Sequence, residues 1–106
     1  MYTIRECYVE DEEIKGLTHE WFKVETLEEA ERIILKRNFK AYKDPLTGAL
    51  ISGWQTSAPI IEGTWGKNQK VWFFQDQAIY KVSDMRYELV WMIGPQTCCV
   101  YLITEE

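Results

Sequence analysis

The sequence predicts an α+β fold: an antiparallel sheet of five to seven strands, with one main α-helix, over about residues 27–38, packed on one face. Three observations lead there. A single segment has the apolar period and both end signals of a helix. The remaining apolar segments alternate or are rich in β-branched and aromatic residues. No self-similar period runs through the chain, which excludes solenoids and propellers. With 106 residues, 46% apolar and 27% charged, the chain fits a single domain, 1–106, that buries somewhat under ~70% of the surface its unfolded form exposes.

In chain order, Tyr2, Ile4 and Tyr8 alternate with Thr3, Arg5 and Cys7 as a first strand. The acidic stretch EDEEIKG then reads as a loop, and Leu17 to Val24 as the returning strand. The helix is predicted from TLEEAERIILKRN. Thr26 is its N-cap, and Glu29, three residues on, completes a capping box. Leu27, Ala30, Ile33 and Ile34 form the apolar stripe with Leu35 at its margin, and Asn38 is the expected terminator. Glu28, Glu29 and Glu31 early, with Lys36 and Arg37 late, complement the helix dipole, and Glu28 and Arg32 pair at four-residue spacing.

Beyond the helix, FKAYKDPLTGALISGW is a hairpin signal, with Asp44-Pro45 opening the turn and Gly48 closing it. QTSAPIIEGTWGKNQ, punctuated by Pro59, Gly63, Gly66 and Asn68, reads as mostly loop. Four further strands are expected: Lys70 to Phe74, Ile79 to Val82, Met85 to Ile93, and Thr97 to Thr104. Met85, Tyr87, Leu89, Trp91 and Ile93 share one face, which places their strand centrally, with Trp91 in the core. Trp21 is expected in the core as well. One helix cannot cover both faces of such a sheet, so the other face must be polar, curl on itself or meet a partner.

The net charge of -5 is unevenly spread. Residues 1–31 hold ten acids against three bases, 32–70 two against seven, and 71–106 five against two. The acidic total disfavours direct nucleic-acid binding, which needs a basic footprint to release counterions. LKRNFKAYK interleaves bases with Phe39 and Tyr42, but this pattern equally suits a helix end and a strand edge guarded by lysine. No segment reaches the ~20 apolar residues of a membrane helix, and the opening residues lack the pattern of a signal peptide. Three cysteines, an odd number, suit a reducing compartment. A cytoplasmic protein is expected.

No catalytic or metal motif stands out. His19 is the one histidine, and Cys7, Cys98 and Cys99 lack the paired spacing of a zinc site; no metal and no cofactor are expected. Adjacent Cys98 and Cys99 read as ordinary small apolar side chains. The run Glu10, Asp11, Glu12 and Glu13 lacks the alternation and glycine of a calcium loop, and focuses a negative potential suited to a basic partner. Trp54 and Trp65 flank a glycine-bearing segment. With Trp72 and Lys67 they are the candidate ligand-binding residues, Lys67 or Lys70 meeting a phosphate.

These features favour a small acidic, non-enzymatic binding protein that engages a basic macromolecular partner through Glu10, Asp11, Glu12 and Glu13. Small acidic α+β proteins of this size include immunity proteins and phage-encoded inhibitors of bacterial defence systems, a likeness of class alone. Two alternatives stand beside it: a small-molecule or nucleotide sponge with a tryptophan-lined pocket, and an enzyme using His19 or Cys7. An uncovered aromatic sheet face could also be closed by a second copy, giving a homodimer.

Overall fold

The computed structural model describes residues 1–54, 58–66, 68–94 and 96–106, with side chains for all of these except 17–21 and 58. Antiparallel pairing joins seven strands into one sheet. They are β1 (Tyr2–Glu10), β2 (Glu13–Val24), β6 (Ile61–Trp65), β7 (Gln69–Phe74), β8 (Gln77–Ser83), β9 (Arg86–Trp91) and β10 (Gln96–Glu105). Their order is β2-β1-β10-β9-β8-β7-β6, so β9 is the middle strand, in the central place expected for it. Helix α1 (Leu27–Phe39) follows β2, and three short strands, β3 (Ala41–Lys43), β4 (Leu50–Ser52) and β5 (Ala58–Pro59), pair in a second small sheet. The fold is α+β. Among the described residues, no helix is long and apolar enough to cross a membrane.

Side chains of α1 and of the small sheet meet one face of the large sheet. Ala30, Ile34, Leu35 and Phe39 bury with Ile4, Trp72, Phe74, Ile79, Tyr87, Leu89, Tyr101 and Ile103. The register explains this set. Ile4 opposes Ile103, Tyr101 opposes Tyr87, Leu89 opposes Ile79 and Ile79 opposes Trp72, and residues opposed across an antiparallel pair share a face. Trp72 stacks on Tyr87 with ring centroids 6.3 Å apart, and Phe39 lies 5.7 Å from Phe74. Tyr87 donates from Oη to Glu31 on the helix at 2.9 Å. Tyr101 donates to Glu6 at 3.0 Å and accepts from Asn38 at 3.1 Å. Two phenols thus tie the helix to the sheet by polar groups as well as by packing.

Local differences from the sequence expectation have local causes. Leu35, expected at the margin of the stripe, is buried, because the small sheet encloses the helix from that side. Asn38 does not terminate the helix: Lys40 takes the left-handed conformation (φ 48°), while the Asn38 amide serves Ile34 and Tyr101. Thr26 Oγ1 accepts from the Glu29 amide as expected, but the Glu29 carboxylate accepts from Glu25 rather than from Thr26. Most of the described part of the segment read as loop is strand. β5 and β6 lie in it, and Gly63 faces Val71, where an added Cβ would find the Val71 and Phe73 side chains. The acidic loop shrinks to two residues, Asp11 and Glu12, with Glu10 and Glu13 already paired in the ladder.

Candidate functional site

The second sheet face carries Cys7, Val9, Val71, Phe73, Ala78, Tyr80, Val90, Val100 and Leu102, by the same register logic. Among the described residues, no helix or further strand lies across it. Cys7, Val9, Val71, Ala78 and Val100 are nonetheless buried, and Cys7, Val9 and Val100 pack with Leu102 in a second, smaller cluster. Near the β1–β2 turn this face forms a groove of about 270 Å³. Val9, Val90 and Val100 form its apolar part, Ile14 and Glu12 come from the hairpin, and an Arg86–Glu88 pair at 3.0 Å borders it.

Of the acidic residues, the structure therefore brings Glu12 to the groove and leaves Glu10, Asp11 and Glu13 exposed around the same turn. Asp11 (φ 53°) and Glu12 (φ 64°) both adopt left-handed backbone. That is a primed hairpin turn of the kind that normally takes Asn-Gly. Glu10 and Glu13 face each other directly across the ladder, an unfavourable like-charge pair, and Glu13 is met by Lys15 at 3.2 Å.

The tryptophans do not converge. Trp72 is 2% exposed, in the core. Trp65, 57% exposed, lies edge-on to Tyr80 on the face opposite the helix. Trp54, 56% exposed, sits at the C-terminal end of α1, where its indole N–H donates to Asn38 O at 2.9 Å. Ser52 Oγ donates to Phe39 O at 2.7 Å and the Gly53 amide to Lys40 O at 3.2 Å, so this segment closes the helix end. Gly53 allows the close approach, since an added Cβ would stand 3.3 Å from both Cβ and O of Lys40. Lys67 and the side chains of His19 and Trp21 lie outside the described residues.

Trp91 corrects the alternation argument. It is 45% exposed, because the helix ends before covering the last residue of β9, and it lines a cleft of about 430 Å³ with Trp54, Phe74 and Asp76. The signal available in the sequence was its position three residues before the turn-forming Gly94. A larger cleft of about 680 Å³ lies between α1, the small sheet and β6–β7. Its charged lining is balanced, with Glu28, Glu31 and Glu62 against Arg32, Lys43 and Lys70. Lys70, 3.5 Å from Glu62, is thus already engaged, which leaves little excess positive charge for a phosphate.

The thiols are poor nucleophiles in this setting. Cys7 is 1% exposed, and burial pushes its thiol up from the ordinary value; burial does the same to Cys98, and pushes Cys99 up to about 12. A bulge between Thr97 and Cys99 lets both adjacent cysteines pack against the main core, where Cys98 donates to Leu89 O at 3.3 Å. Among the described residues no cluster of His, Cys, Asp or Glu could hold a metal ion. Compared with models of known protein families, with curated proteins and with solved structures, the chain matches none.

Proposed function

We propose that this is a non-enzymatic binding protein that docks a basic macromolecular partner, most simply another protein, on the sheet face the helix leaves bare. One observation carries the reading: an acidic turn stands at the rim of an apolar groove on that face. Apolar floor and charged rim is the usual division of labour in protein recognition, with the rim steering encounter and the floor holding the complex. The turn also bears local costs that stability alone would remove, namely two left-handed non-glycine residues and an opposed carboxylate pair. Such concessions are commonest where function maintains them. An inhibitor or immunity role is the form of this activity that suits a small acidic chain.

The test is affinity capture from cell lysate with four forms of the chain. The native form is expected to retain a basic protein that both Val90→Asp and the double change Asp11→Asn, Glu12→Gln release, while Trp65→Ala retains it. If nothing captured depends on Val90 and Glu12, the proposal fails. A second copy is the competing occupant. It would bring two acidic turns onto one surface, and a solution mass of twice 12.6 kDa for the isolated protein would identify it.

A further inference from the structure

The cleft at the C-terminal end of α1 has a lining suited to a different ligand. Trp54 and Trp91 contribute two half-exposed indoles, and Phe74 a third aromatic group. Asn38, Gln75 and Gln77 are neutral, and the single charge in the lining is the Asp76 carboxylate. Among the described residues, that carboxylate meets no cation. The backbone that carries it is tied down, since Asp76 O accepts from the Met92 amide at 2.7 Å, joining the β7–β8 turn to the β9–β10 turn. Trp54 is fixed by its bond to Asn38 O. Lys40, outside the lining, already stands 4.2 Å from the centre of the Trp54 ring, whereas Trp91 bears no such cation among the described residues.

We infer that this cleft binds an organic cation whose charge is spread over an apolar shape, an alkylated ammonium or a guanidinium. Indole faces attract such groups through the ring quadrupole, most strongly where the cation has little hydration to lose. Asp76 supplies the countercharge. A neutral ring or sugar could stack on the indoles but would leave the carboxylate without a charge partner. The cleft is separate from the groove on the opposite face, so each reading survives failure of the other.

The experiment follows the indole N–H resonances of the full chain during titration with choline, with N-methylguanidinium, and with 3,3-dimethylbutan-1-ol, the uncharged isostere of choline. Saturable shifts are expected for the two cations, with dissociation constants on the order of 1 mM, and at least roughly tenfold weaker binding of the isostere. Asp76→Asn, an exposed position, should weaken choline binding roughly tenfold with the melting temperature unchanged, and Trp91→Ala should abolish it. Short peptides carrying trimethyllysine or arginine form a second arm. Tighter binding than the free cations means that the group arrives on a protein, and equal binding means a free small molecule. A response to the isostere equal to that of choline, insensitivity to Asp76→Asn, or no saturable shift with either cation overturns the inference.

Discussion

Asp11 and Glu12 show how a single residue type can work against its own conformation. Left-handed backbone costs a residue with a Cβ about 1–2 kcal/mol, and Asp tolerates it better than Glu because its short side chain can bond locally. Glu12→Gly should therefore raise stability by about 1 kcal/mol, or roughly 4–8 °C in a thermal melt for a domain of this size. A melt that falls would show that the Glu12 side chain holds the turn together. The indoles make the complementary case. Trp72→Ala should cost about 3–5 kcal/mol because it empties the core beside Tyr87. Trp65→Ala, at a half-exposed position, should cost about 1 kcal/mol or less. Urea denaturation of the two variants reads the contrast directly, and similar losses would contradict the different placements of these rings.

At the scale of elements, the helix was legible because its signals agree: cap, charge order and apolar period point to one segment, about 27–38, which the structure extends to Phe39. Thr26→Ala removes the bond to the Glu29 amide and should lower stability by about 1 kcal/mol, read as a shift of the urea midpoint. A midpoint left in place would mean that solvent replaces the cap without loss. The hairpin β3–β4 was legible too, since Asp44 accepts from both Leu46 and Thr47 within the turn. Strand β6 was not, because Gly63 interrupts it and Pro59 stands two residues before it, and only the sheet reveals that Gly63 lies opposite Val71. Trp91 was misjudged for a related reason. Alternation reports which face a side chain takes, whereas burial depends on how far the covering helix reaches. The acidic turn was visible as charge, but the apolar groove beside it joins strands far apart in sequence and could not be read from any one of them.

Across the whole molecule, several acidic protons share one direction of shift. Burial raises Cys7, Cys98, Cys99, Tyr87 and Tyr101 above their ordinary values. A raised value means that the unfolded chain loses its proton first, so stability is retained below the ordinary thiol value of 9.0 and falls as the pH rises above it. For Cys99 this loss extends to about pH 12, and the tyrosines add to it from their ordinary value of 10.0 upward. Urea midpoints should be level from pH 7 to about 8.5 and decline beyond. Midpoints unchanged to pH 10.5 would show that these groups are wetter than the structure has them.

The strand order has a consequence for how the chain reaches this state. β6 to β9 form a meander whose neighbours are also neighbours in sequence, while β1 and β2 join it solely through β10. During synthesis the amino-terminal hairpin must wait, unattached along one edge, until residues 96–105 leave the ribosome. A nascent chain stalled before that point holds two pieces with open edges, and the final strand acts as the clasp that makes them one sheet.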